Sequence, residues 1–423
     1  MTLTKSLLLG SAAALFAAAG ANAADLPSKK AAPAQYVKIC SAAGDGYFYI
    51  PGSDTCLKVS GYAEFDFLAR TTKATYSSVT GAVSATAKSR NNYTNSIDSE
   101  IQLDAITKTS WGDLHTYIAF EMENGVAGSA DPTFVGSDGA YIEFAGLTAG
   151  RHESFFHNIG GLYSGYQTPD YKSNMLAYTA SFGGGFSATI SLEDAAQGRV
   201  GVAGGTYNGT RAPDVVGALR VKQGWGEASL IGGFHQTPYN NGAADVNATG
   251  YAVMGYVSVN LPMLAAGDSI ALQGAWERNA IAFSGLSNAN KNSYNGYQGT
   301  VADVYYGPTS GLLSSQHNQT GYTILGYLKH NWTPTVSTEI EASYGALKYS
   351  NLGTTSSLTV NSYNAWMVGQ VTKWTPVKGL EFGIDTAYTR YKNKWNPAQV
   401  LAVPTVSASQ SDFRVQFRAV RSF

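Results

Sequence analysis

The chain has 423 residues, of which 13% are charged and 12% aromatic, whereas about 25% of residues are charged in soluble globular domains. Beyond residue 23 there is no run of about 18 apolar residues and mean hydropathy is −0.12, which excludes a bundle of transmembrane helices. A hydrophobic content of 44% excludes disorder, and 28 basic against 29 acidic residues leave no electrostatic basis for binding nucleic acid.

In chain order, the first feature is the apolar run Leu7 to Ala19, preceded by Lys5 and followed by Ala21-Asn22-Ala23. A short apolar stretch ended by small residues is the pattern of a secretory signal peptide, expected over residues 1–23. Residues 24–56 form an expected periplasmic segment, and 57–423 the main domain. Cys40 and Cys56 are the only cysteines. In an exported chain they are expected to be bonded, a crosslink worth about 3 kcal/mol by loop entropy.

From Leu57 to Arg70 the residues alternate strictly. Leu57, Val59, Phe65 and Phe67 share one face, and Lys58, Glu64, Asp66 and Arg70 the other. Period two marks a strand. The same division recurs around 97–104 and 114–123, then at about 139–145, 147–154, 174–182, 185–193, 214–222, 227–235, 250–261, 268–279, 320–331, 336–347, 361–374, 379–391 and 411–423. Sixteen strands are therefore expected, and their connections alternate between short and long. The short ones lie near Trp111, Gly146, Gly184, Trp225, Gly267, Pro334 and Gly379. The long ones cover about 71–95, 124–138, 155–173, 194–213, 236–249, 280–319, 348–360 and 392–410. This asymmetry fits a transmembrane antiparallel β-barrel with short periplasmic turns and long outer loops; a secreted sandwich or propeller has no reason to shorten every second connection. Trp111, Trp225, Trp332 and Trp374 stand at or beside the short turns and predict an aromatic girdle there. Polar residues along one face suit a water-filled lumen, which a dry core would not tolerate.

Reactive constellations are sparse. The closest approach to a metal motif, His152-Glu153-Ser154-Phe155-Phe156-His157, misses H-E-x-x-H by one residue and lies at a strand-to-loop junction. No nucleophile elbow or phosphate-binding loop occurs, so neither catalysis nor a cofactor is expected.

Ala24-Asp25-Leu26-Pro27, Lys38-Ile39-Cys40 and the stretch from Gly44 through Cys56 to Tyr62 resemble the opening of the alphaproteobacterial outer-membrane porins. The ending, Phe413-Arg414-Val415-Gln416-Phe417 through Phe423, is similar to the last strand of outer-membrane barrels. The resemblance implies an all-β, sixteen-stranded barrel with an inward-folded third loop, assembled as a homotrimer among outer-membrane lipids. It also implies that the assembly machinery reads the terminal Phe423. The function implied is passive diffusion of small hydrophilic solutes and ions, with a substrate-selective channel, for a sugar as one example, as the alternative. The constriction loop, about Phe155 to Ser173, would present Phe156, Tyr163, Tyr166, Asp170 and Lys172. It is not markedly acidic.

Assigning faces by alternation puts Lys58, Glu64, Asp66, Glu100, Asp104, Glu121, Arg220, Arg414 and Arg418 on the lumen wall. In total, fifteen acids face inward against eight bases, which predicts a weak cation preference. Arg151 is ambiguous, because Gly146 and Gly150 allow a register shift; in similar porins an arginine placed this way projects into the lumen, so it is included in the pore lining. Residues 280–319, rich in Asn, Ser, Gly and Tyr, are expected to be exposed outside.

Overall fold

The computed structural model describes residues 38–77, 83–124, 133–157, 162, 169–286, 301–308, 314–350, 361–394 and 406–423. Among these, sixteen antiparallel strands close into a barrel: β1 Thr55–Ser77, β2 Val83–Thr109, β3 Gly112–Asn124, β4 Thr133–Phe144, β5 Leu147–Glu153, β6 Lys172–Gly183, β7 Phe186–Glu193, β8 Asp214–Gln223, β9 Gly226–Asn240, β10 Asp245–Asn260, β11 Ser269–Arg278, β12 Ser314–Thr333, β13 Val336–Tyr349, β14 Ser362–Val377, β15 Leu380–Lys394 and β16 Val406–Ser422. Each pairs with its neighbours in sequence, and β1 pairs with β16 from Tyr62 opposite Ser422 to Ser77 opposite Val406. Phe423 extends that seam, its N–H donating to the Gly61 carbonyl at 3.0 Å. Closure matters because an unpaired backbone group in hydrocarbon costs several kcal/mol, roughly, and a closed barrel has no edge. The expected segment 1–23 lies outside the described residues.

The alternation is realised as expected. Outward rows carry Val59, Phe65, Ile101, Phe120, Ile142, Leu176, Ile190, Leu230, Ile270, Ile324, Val368 and Ile384, all exposed apolar side chains. The turns at one rim are tight. At Ala145-Gly146 both residues have positive φ, 52° and 89°, the twist that a two-residue hairpin requires. Trp111, Trp225, Trp332 and Trp374 are exposed along this rim. A second belt, not anticipated, crosses β10 to β15 nearer the other rim, as the pairs Tyr251–Trp276, Tyr322–Tyr344 and Trp366–Tyr388 with ring centroids 5.3–6.0 Å apart. Eight steps from Val336, beside the lower belt, to Tyr344 span about 26 Å of strand, or about 20 Å of height at a tilt near 40°, close to the apolar band of a bilayer barrel.

The loop rim departs from expectation in three places. β1 and β2 run past the predicted ends, so the first connection is only 78–82. The fifth, placed at 236–249, is a hairpin ladder from Gln236 opposite Thr249 to Asn240 opposite Asp245, leaving 241–244 as its turn. Above the membrane a strand needs no apolar face, so the alternation fades while the backbone ladder continues. The third departure concerns 280–319: its described stretches, Ala280 to Leu286 and Val301 to Val304, are buried inside the barrel rather than exposed outside it.

Candidate functional site: the constriction and the open wall

The third loop-rim connection leaves β5 at Glu153 and turns inward at once. Ser154 N–H donates to the Tyr171 carbonyl at 3.1 Å, pinching the loop's neck, and Phe155 N–H donates to Glu193 Oε1 at 3.1 Å. Phe156 is 0% exposed; its ring packs 4.5 Å from Phe283 among Val216, Ile231, Met254 and Ala275, the inner faces of β8 to β11. Leu162 packs against Met367, Val371 and Ala387 on β14 and β15. The loop therefore touches two separate parts of the inner wall, at Phe156 and at Leu162. Tyr163 and Tyr166 lie outside the described residues. Asp170 is exposed, and Lys172 belongs to β6, where its ammonium binds Asp138.

The sixth connection fills a second sector. Asp303, 0% exposed, accepts from the N–H groups of Val200 and Gly201, both at 2.8 Å, and of Ile281 at 3.0 Å, tying the fourth and sixth connections together. His235 on β9 lies between Asp214 Oδ1 (2.7 Å) and Asp303 Oδ2 (3.7 Å). Tyr349 on β13 exchanges hydrogen bonds with both Ala302 backbone groups, at 2.7 and 2.6 Å. Val202–Ala203 pairs in parallel with Val304–Tyr305, adding a small sheet across the loop-rim mouth.

These two insertions decide which inner wall meets solvent. Inward side chains of β11 to β15, such as Ala275, Glu277, Glu341, Met367 and Asp385, are buried, whereas those of β1 to β4 are mostly half-buried. The open wall carries Glu64, Asp66, Asp98, Glu100, Asp104, Glu121, Glu123, Asp138 and Glu143 against Lys58, Arg70, Lys172 and Arg418. Arg418 holds Glu64 and Asp66, each at 2.7 Å. Arg70 pairs with Asp412 at 3.2 Å. His115 bridges Asp104 at 2.9 Å and Glu143 at 2.7 Å. Carboxylate oxygens of Asp98, Glu121 and Glu123 lie within 4.8 Å of one another, as do those of Glu100, Glu121 and Asp138. Among the described residues Asp98, Glu100, Glu121 and Glu123 have no ion-pair partner, so the local field is negative.

The expected wall residues thus divide. Lys58, Glu64, Asp66, Asp104, Glu121 and Arg418 line the open side, and Glu100 stands in the same row, buried under Gln102. Arg220 faces inward but is a clamp: its guanidinium donates to the Phe155 and His157 carbonyls, both at 3.1 Å, fixing the loop. Arg414, 3% exposed, stands opposite Arg70 at the edge of the open side but is buried there, 3.7 Å from Asp385. Arg151 is not on the lumen face. It stands opposite Ala140 and Asn174 in an outward row, while His152 turns inward to meet the Tyr141 ring at 4.6 Å. No register shift occurs between β5 and its neighbours, so Gly150 does not reverse the face. Phe156 is a wall anchor rather than a pore surface. Asp138 escaped the sequence reading because it sits at a bulge, where Ala119 pairs with Gly139 and Phe120 with Ser137.

A family model described as "Porin subfamily" matches residues 25–417. The chain is 35% identical to Porin Omp2b of Brucella abortus over 244 residues and 36% identical to Porin Omp2b of Brucella suis over 249, in each case covering 54% of this chain and 64% of the relative. The fold matches the outer membrane channel DcaP of Acinetobacter baumannii with a TM-score of 0.58 at 14% identity, over 89% of this chain and 99% of that one. It matches Salmonella typhi OmpF, solved in complex with daunomycin, with a TM-score of 0.50 at 11% identity, over 88% and 99%.

Proposed function

Because the chain belongs to the porin subfamily and is a multi-pass β-barrel of the outer membrane, we infer that it forms a water-filled channel for passive diffusion of small hydrophilic solutes and ions. The short-turn rim faces the periplasm and the loop rim the outside. The observation that carries the reading is the division of the interior: two loops fill one side, and the remaining passage runs along a wall where nine named carboxylates meet four basic side chains. Width sets the size limit, and the uncompensated acids give the pore a cation preference. Planar-bilayer recording tests both. In a KCl gradient the purified protein is expected to show discrete ohmic steps and a cation-directed reversal potential. An absence of steps would overturn the channel, and an anion-directed potential the selectivity.

A homotrimer is the assembly this reading favours. Arg151 lies four steps above the turn on β5, about 10 Å up a tilted strand, with no ion pair or hydrogen bond among the described residues. Facing lipid at that height, an arginine costs about 2–4 kcal/mol; a neighbouring copy seated over β5 and β6 removes that cost. Phe423, paired into the seam and exposed at its side chain, is available to the assembly machinery.

A further inference from the structure

The segment before β1 is not a tether hanging below the barrel. On β1, Cys56 and Lys58 share the inward face with Ser60 and Tyr62, and Cys56 is bonded to Cys40, both sulfurs being buried. Phe48–Tyr49 pairs with Cys56–Leu57, and the Cys40 N–H donates to the Tyr47 carbonyl at 2.9 Å, so the crosslink fixes the backbone of Tyr47 directly. The register then sets what Tyr47 meets. Lys58 stands opposite Asp104, Asp104 opposite Tyr117, and Tyr117 opposite Tyr141, one inward row just above the turns. The Tyr47 ring lies under the Lys58 ammonium, 6.0 Å from its centroid, and its hydroxyl lies against the Asp104 carboxylate. Tyr117 and Tyr141 stack at 5.1 Å. Burial, with the Asp104 hydrogen bond, pushes the Tyr47 phenol up to about 12, so it remains a neutral donor at any physiological pH.

We propose that Tyr47 is a specificity-determining residue of the permeation path, a second filter at the short-turn rim that the Cys40–Cys56 crosslink holds against the open wall. The filter rests on the channel reading above. It acts on size and shape rather than on net charge, because at this level Lys58 stands beside Asp104, and His115 bridges Asp104 and Glu143. Solutes that clear the third loop pass along the part of the open wall that the Tyr47, Tyr117 and Tyr141 rings line together. Small ions pass with their flow reduced by the narrowing; bulky neutral solutes are retarded more strongly.

The test uses the full protein in planar bilayers, with folding verified by heat-modifiable gel mobility. Tyr47→Ala is expected to raise single-channel conductance by roughly a quarter or more and to admit larger polyethylene glycols added from the short-turn side, while Tyr47→Phe, which keeps the ring, stays near the parent value. Cys40→Ser combined with Cys56→Ser is expected to behave like Tyr47→Ala, as is dithiothreitol added on the short-turn side alone. Parent conductance and polymer exclusion in folded Tyr47→Ala would overturn the filter. Parent behaviour in the double serine variant alone would overturn the role of the crosslink. A parent protein with no conductance would instead overturn the channel itself.

Discussion

Asp98, Glu100, Glu121 and Glu123 differ from Glu64 and Asp66 in one respect that alternation cannot reveal: Arg418 reaches across from β16 and binds the latter two. Charge on the open wall is therefore concentrated on β2 and β3. Asp98→Asn combined with Glu121→Gln is expected to lower the cation-to-anion permeability ratio more than Glu64→Gln combined with Asp66→Asn. The gap should widen near 10 mM salt, where the Debye length is about 30 Å against about 10 Å at 100 mM. Reversal potentials at both concentrations measure it, and equal or inverted effects would refute the assignment. Neutralising Glu64 and Asp66 also leaves Arg418 without its two closest anions, so that variant is expected to lose thermal stability as well.

Sequence patterning located all sixteen strands, because a strand that spans lipid must alternate whatever it pairs with. Loop conformation obeys no comparable local rule. The stretch 280–319 has loop composition, yet Ile281, Phe283, Leu286, Val301 and Tyr305 are buried against the inner wall. Their apolar character was the available signal, scattered among Asn and Ser. Asp303 is the pin of this arrangement. Asp303→Ala removes three charge-assisted acceptor contacts, each worth about 1.5–3 kcal/mol, and is expected to speed amide exchange at Val200, Gly201 and Ile281 by at least about tenfold. Asp303→Asn, which keeps one carbonyl acceptor, is expected to fall between. Unchanged protection in the alanine variant would show that the fourth and sixth connections are held by their apolar contacts alone.

Over the whole barrel the outer surface is uneven. The upper aromatic belt covers β10 to β15, whereas β5 and β6 present Ala149, Arg151 and Asn174 in their outward rows. Aromatic rings belong at a lipid interface, and a lone arginine at that height does not. Arg151→Glu is expected to shift the detergent-solubilised protein from trimer to monomer in light scattering, with the monomer's strand content retained by circular dichroism. Arg151→Leu, neutral and lipid-compatible, should weaken the trimer less if charge pairing across the interface matters. A stable trimer in the glutamate variant would place the interface elsewhere.

By itself the sequence determined the membrane barrel, its strand count, the short-turn rim and the pairing of Cys40 with Cys56, all of which follow from rules acting within one strand, one turn or one pair of residues. Only the tertiary structure decided which half of the inner wall remains open. It also turned Arg220 from a pore charge into a loop clamp, placed Arg151 on the outer face and brought Tyr47 to the exit. Each of these depends on contacts between residues far apart in the chain, Arg220 with Phe155, Asp303 with Val200, Leu162 with Met367. Alternation gives a side chain's face; what covers that face is set by where the loops fold back.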